Sequence, residues 1–283
     1  MNTVFLNGTY LPREQAMVSV EDRGFLFADA IYESTPVYRG RLFLYDRHMK
    51  RLERGLGVLR IDYDVSVMAE IHDKLIVESG LAEVPLGYIY VQITRGVAPR
   101  GHAFPKTSPT PTVYAFAGSM APPTRERWDE GFDAITVPDR RWARADVKTT
   151  ALTANVLAQQ AAVEAGVSDA VLVRDGMAME GSHNNLFAVL NGVVVTAPAS
   201  NYILHGITRG YVIELAQELG LPLEERPLPV EELMQADEVF YTGTTTEIRP
   251  TVRIDGKPVG TGQPGPISRQ LYELYVRRAN GNA

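Results

Sequence analysis

The sequence predicts a mixed α/β protein built as two domains. Strand-like and helix-like stretches alternate along the chain, and the Gly/Pro-punctuated segment Gly118-Ser119-Met120-Ala121-Pro122-Pro123-Thr124 interrupts them as a linker would. At 283 residues the chain is also longer than one hydrophobic core usually serves. The expected division is a small N-terminal α/β domain over residues 1–118, a linker over 119–124 and a large C-terminal α/β domain over 125–283.

Thr3 to Leu6 and Tyr10 to Leu11 flank Asn7-Gly8, a dipeptide that accepts the positive φ angles of a tight hairpin. Ala30 to Tyr38 reads as a strand that turns at Arg39-Gly40 into Arg41 to Leu44. Asp46 is placed to cap a helix running through Leu52 to about Leu56. A second amphipathic helix spans Val65 to Glu78 and stops at Gly80. Leu86 to Thr94 and Pro111 to Ala117 read as strands, and between them lies a Gly/Pro-rich loop, Arg95 to Pro105. In the second half, Asp133 to Val137 is a strand. An alanine-rich helix follows from Leu152 to Ala165, with Thr149 or Thr150 as its cap and Gly166 as its stop. Two hairpins turn at Asp175-Gly176 and Asn191-Gly192, and a third at Asp255-Gly256. Thr208 to Leu219 and Ile267 to Arg278 are helices. Glu238 to Tyr241 is a strand feeding the turn Thr242-Gly243-Thr244-Thr245-Thr246.

Composition narrows the function classes. The net charge of −6 argues against nucleic acid as the main partner. No apolar run is long enough to span a bilayer, and the start of the chain does not resemble a signal peptide. There is no cysteine, so neither a disulfide framework nor a thiolate metal site is available, which fits a cytoplasmic protein. The histidines show no metal-ligand spacing, and no metal is expected.

The chemistry concentrates in a few places. Lys148, in Arg144-Ala145-Asp146-Val147-Lys148-Thr149-Thr150, sits between a strand-like stretch and a helix, where a lysine can point into a cleft and act as a nucleophile. Glu180 closes a strand before Gly181-Ser182 and is either a surface hairpin residue or a carboxylate that keeps a ring nitrogen protonated. Gly206-Ile207-Thr208 opens a helix, where Thr208 is a plain cap or part of a phosphate seat. Thr244 and Thr245 offer further donors, and Arg51 a compensating charge. An amine for a Schiff base, a ring-nitrogen carboxylate and a phosphate seat are what pyridoxal phosphate asks of a protein. Arg100 and His102, with Tyr32 as a third donor, would suit a substrate carboxylate.

Taken in order, Glu21-Asp22-Arg23-Gly24, Asp146-Val147-Lys148, Glu180-Gly181-Ser182, Asn185-Leu186-Phe187, Gly206-Ile207-Thr208-Arg209 and Thr244-Thr245 resemble the fold-type IV pyridoxal-phosphate enzymes. That family includes D-amino-acid, branched-chain and (R)-amine transaminases and aminodeoxychorismate lyase. Thr94-Arg95-Gly96 with Pro99-Arg100-Gly101-His102 and Phe104-Pro105 is most similar to the D-amino-acid transaminases. The resemblance implies a two-domain fold with the active site in the interdomain cleft. It implies Lys148, carried by the larger domain, as the Schiff-base lysine of pyridoxal 5'-phosphate, and Glu180 as the ring-nitrogen partner. Arg51, Ile207, Thr208, Thr244 and Thr245 would hold the phosphate, and Leu204 would pack behind the ring. It further implies a carboxylate trap of Tyr32, Arg100 and His102. The Arg and His would arrive from the second subunit of a homodimer with active sites at the interface. The implied reaction moves an amino group from a D-amino acid, such as D-alanine or D-glutamate, to a 2-oxo acid. The other activities of the same fold are the alternatives. His183, Ser34 and Pro36 depart from the pattern near the cofactor and the substrate side pocket.

Overall fold

Residues 2–281 are described by a computed structural model, in which the chain falls into two units. The first runs to Pro122 and takes back Val147–Ala151; the second comprises Pro123–Asp146 and the chain from Leu152 onward. Lys148 therefore belongs by its contacts to the first unit, whereas the sequence assigns it to the larger C-terminal domain. Among the described residues no helix is long and apolar enough to cross a membrane.

The first unit contains β1 (Thr3–Leu6), β2 (Thr9–Pro12), α1 (Arg23–Phe27), β3 (Ala30–Tyr38), β4 (Arg41–Leu42), α2 (Tyr45–Leu59), α3 (Met68–Glu78), β5 (Leu86–Thr94) and β6 (Val113–Met120). The strands form one antiparallel sheet in the order β2-β1-β6-β5-β3-β4. Asn7 and Gly8 take φ of +48° and +90°, as the β1–β2 hairpin requires. Leu52 and Leu56 of α2 and Met68 and Leu75 of α3 pack in one core with Ile31, Ile89 and Ile93 of the sheet. Each such side chain contributes about 1.5–3 kcal/mol by leaving water. Two expectations are corrected. Leu44, at φ +55° and without a side-chain hydrogen bond, occupies the cap position of α2, and Asp46 lies inside the first turn. Ser119 and Met120 are not linker; they pair with Gly87 and Leu86 as the end of β6.

The second unit holds α4 (Arg125–Glu130), β7 (Phe132–Pro138), α5 (Thr153–Glu164), β8 (Asp169–Arg174), β9 (Met177–Gly181), β10 (Asn185–Leu190) and β11 (Val193–Thr196). It continues through α6 (Ile207–Glu218), β12 (Leu223–Glu225), α7 (Val230–Leu233), β13 (Glu238–Gly243), β14 (Glu247–Ile254), β15 (Lys257–Pro258) and α8 (Pro266–Ala279). The mixed sheet runs β12-β11-β10-β13-β14-β7-β8-β9. β9 pairs back onto β10 through Glu180 and Asn185, so the strands from β10 round to β9 close into a ring. Val171, Leu186, Ala188, Val239 and Ile254 are buried in its core. The indole of Trp128 is fully buried, donates to the Ile248 carbonyl at 2.9 Å and stacks on Tyr272. Neither Thr149 nor Thr150 caps α5: Leu152 precedes it with no side-chain bond, and both threonines are instead tied to β3 of the first unit.

Candidate active site

In the first unit, the Lys148 segment is held along β3. The Tyr32 N–H donates to the Lys148 carbonyl at 3.0 Å, Ile31 bridges to Thr149, and the Thr150 N–H donates to the Ala30 carbonyl. Val147, 4% exposed, anchors the segment in the core. This leaves the half-buried Lys148 with its Nζ 4.3 Å from the centre of the Tyr32 ring, which stacks on Tyr90. Tyr32 and Lys148, singled out separately in the sequence, are therefore neighbours.

Strand alternation turns the next residue the other way. Glu33 is 1% exposed and meets α2. His48 and Arg51, three apart, share one helix face. His48 Nδ1 lies 3.0 Å from Glu33 Oε1, and Arg51 donates from Nε and Nη2 at 2.9 and 2.6 Å. Burial raises the Glu33 pKa, but Arg51 and His48 outweigh it and hold the carboxyl well below its usual range. Arg51, offered by the sequence as a phosphate charge, thus has a carboxylate partner within its own unit. The sequence does not single out Glu33 or His48; the available signal is a carboxylate inside a strand, at a position flanked by Ile31 and Thr35 on the same face.

In the second unit, Glu180 lies between Leu172 of β8 and Asn185 of β10 and is 3% exposed, so it is no surface hairpin residue. Asn185 Nδ2 donates to it at 2.6 Å, and the Leu204 N–H lies 3.1 and 3.2 Å from its two oxygens. Arg141 donates to it from Nη1. Arg141 is itself gripped by Asp139, which accepts from its backbone N–H at 3.0 Å and from Nε and Nη2 at 2.9 Å. Burial pushes the Glu180 carboxyl up to about 7; Arg141 and the Leu204 N–H pull against it, and Asp139 adds to the rise. The group can hold or release a proton near neutrality. Neither Arg141 nor Asp139 is marked in the sequence, where Asp139-Arg140-Arg141 reads as ordinary surface charge.

Asn185 links this carboxylate to the start of α6. Its Nδ2 also donates to the Leu204 carbonyl at 2.9 Å, which accepts the Gly206 N–H at 2.8 Å. A Cβ on Gly206 would lie 2.0 Å from Asn185 Oδ1, so close approach excludes a side chain there. No side chain caps α6, which begins at Ile207, and Thr208 is 4% exposed in its first turn. Thr244 and Thr245 occupy the turn between β13 and β14. Thr246 donates from Oγ1 to Asn184, which donates at 2.6 Å to the buried Asp169. Asp169 also accepts from Ser182 and Arg249 at 2.7 Å. Neighbouring residues Asn184 and Asn185 thus tie the threonine turn and the α6 start to the Glu180 strand end. His183, just before them, is exposed.

Arg100 and His102 stand on the exposed loop of the first unit, beside Phe27 of α1: the Arg100 guanidinium carbon is 5.2 Å from the ring centre and the His102 ring 5.7 Å.

The model of the family described as amino-transferase class IV matches residues 30–254. A D-alanine aminotransferase of Staphylococcus aureus (strain MSSA476) is 38% identical over 279 residues, 98% of each chain. One from Bacillus licheniformis is 39% identical over 268 residues, 95% of this chain and 94% of that one. Among solved structures, a branched-chain amino acid aminotransferase of T.th. with pyridoxamine 5'-phosphate superposes with a TM-score of 0.91 at 28% identity. That match covers 100% of this chain and 95% of the other.

Proposed function

This chain belongs to the class IV aminotransferases, and from that membership we propose that it moves the amino group of a D-amino acid such as D-alanine to a 2-oxo acid, with pyridoxal 5'-phosphate as cofactor. The observation that carries the donor is 38% identity over nearly the whole chain to a D-alanine aminotransferase, and the Arg100–His102 loop, which resembles that group, supports it. The branched-chain enzyme is less identical and supports the shared fold.

The residues fit the cofactor. A phosphate suits the uncapped start of α6, kept bare by the close approach at Gly206. A ring nitrogen suits Glu180, buried and able to exchange a proton near pH 7. When bound, the cofactor supplies an aldehyde carbon that condenses with amines and a ring that draws electrons from the substrate. Lys148 would hold that carbon through its Nζ, and the free Nζ would serve as the general acid–base for the substrate α-proton. Glu180 holds the proton at the ring nitrogen, with Arg141 fixing the carboxylate. Arg51, Ile207, Thr208, Thr244 and Thr245 hold the phosphate, and Leu204 packs on the ring. Tyr32 receives the substrate carboxylate with Arg100 and His102, delivered by a second copy of the chain in a homodimer. Anchoring that carboxylate contributes several kcal/mol of orientation.

The test is the visible spectrum of the purified, cofactor-loaded protein with D-alanine and, separately, with L-leucine. D-alanine is expected to convert the visible band to the amine form of the cofactor. Conversion by L-leucine alone would keep the family and overturn the donor. Lys148→Ala should lose both band and turnover, and a normal rate in that variant would remove Lys148 from the reaction.

A further inference from the structure

The Glu21-Asp22-Arg23-Gly24 segment has no part in the chemistry described so far, yet its side chains are among the most engaged polar groups of the first unit. Asp22 is fully buried: it accepts from the Gly24 N–H at 2.7 Å, Thr94 Oγ1 at 3.0 Å and Thr112 Oγ1 at 2.6 Å. Arg23 is 3% exposed. Its Nε donates to Asp29 at 2.8 Å, and its Nη1 donates at 2.6 Å to the carbonyl of Gly101. Gly101 is the residue between Arg100 and His102. A buried guanidinium thus grips the loop at the point where it presents both side chains.

The rest of the loop is held from the same base. The Arg23 N–H donates to the Gly96 carbonyl at 3.0 Å, and the Ala98 N–H donates to the Glu21 carbonyl at 3.3 Å. Arg95 shares Asp29 with Arg23, donating at 2.7 and 2.9 Å, and lies 3.8 Å over the Phe104 ring. Phe27, at the end of α1, has the guanidinium carbons of Arg23 at 4.8 Å and Arg100 at 5.2 Å and the His102 ring at 5.7 Å. The ring gives Arg100 a face to rest on, and Arg23 fixes the backbone beneath it. A loop rich in Gly and Pro would otherwise sample many poses, and a displacement of about 1 Å in a substrate-anchoring group can cost about 10²-fold.

We infer that Arg23, seated on Asp29, and Phe27 are positioning residues that hold Arg100 and His102 in the pose that receives the substrate carboxylate. The inference rests on the reading of Arg100 and His102 as the carboxylate site. A lysine at position 23 keeps the charge but cannot bridge Asp29 and Gly101 as a fork does.

The experiment measures kcat and KM for D-alanine with 2-oxoglutarate as acceptor, with the dissociation constant of pyridoxal phosphate and the visible spectrum, in wild type, Arg100→Ala, Arg23→Lys, Phe27→Leu and the double variants with Arg100→Ala. Arg23→Lys and Phe27→Leu are each expected to raise KM about tenfold or more, with cofactor affinity and spectrum as in wild type. In the Arg100→Ala background the rise should be clearly smaller than in wild type, because of the two side chains they place only His102 remains. Wild-type KM in both variants, or an equal additional rise without Arg100, would overturn the inference. Should Arg23→Lys not fold, Phe27→Leu decides by itself. An Arg100→Ala variant with normal KM would instead bring down the carboxylate reading beneath it.

Discussion

Each unit buries a glutamate against an arginine, and the two carboxyls move in opposite directions. Glu33 is 1% exposed and Glu180 3%, so burial raises both. Glu33 takes a two-point hold from Arg51 and a contact from His48, which more than offset desolvation. Glu180 takes one contact from an arginine whose other nitrogen donors face Asp139, and Asp139's own charge works against ionisation. An arginine beside a carboxylate does not by itself set the charge state; what matters is how much of that arginine is already spent on another anion. Glu33 is a permanent ion that locks β3 to α2. Glu180, with its carboxyl pushed up to about 7, is the one of the two whose charge changes near neutrality.

The largest expected effect comes from breaking the permanent pair. Glu33→Gln leaves Arg51 and His48 without their buried carboxylate and should cost about 3–5 kcal/mol in urea unfolding at neutral pH. A loss below about 1 kcal/mol would place that ion pair among those of no structural consequence. The pair also sets a sign. Because the folded pKa of Glu33 is depressed, its contribution is present above the ordinary value of 4.5 and is lost as pH falls below it.

Glu180 has the opposite sign. Its folded pKa of about 7 exceeds the ordinary 4.5, so its contribution is complete below 4.5 and is lost as pH rises through 7. In cofactor-free protein this amounts to about 3 kcal/mol across that window. Glu180→Gln should remove that slope from the stability–pH curve, and an unchanged slope would refute the raised value. A smaller shift comes from Asp139→Asn, which removes an opposing charge and releases Arg141 toward Glu180. The Glu180 window should then move down by about one unit, or about 1.4 kcal/mol. An upward shift would mean that Asp139 acts chiefly by holding Arg141 in place. At the low end stands an exposed carboxylate. Asp46 lies in the first turn of α2 but does not cap it, so Asp46→Ala should cost only the dipole contribution of about 0.3–0.5 kcal/mol. A loss near 1 kcal/mol would restore it as a cap.

The sequence by itself determined the local elements and the order of the motifs. β3 and β5 run over the residues their apolar patterns predict, and the hairpins turn at Asn7-Gly8, Asp175-Gly176, Asn191-Gly192 and Asp255-Gly256. These follow from backbone preferences and period-2 alternation, which act over a few residues. Lys148 and Glu180 stood out for the same reason, as reactive side chains at element ends. Tertiary structure alone decided the rest. It assigned Lys148 to the first unit by pairing Tyr32 and Ile31 with a segment more than a hundred residues away in sequence. It gave Arg51 to Glu33, set Asp139 and Arg141 behind Glu180, and put Arg23 under Gly101. None of these pairings has a local pattern. A side chain's charge state depends on which water is excluded and which distant charges arrive, and both are settled only when strands and helices from separate parts of the chain close around it.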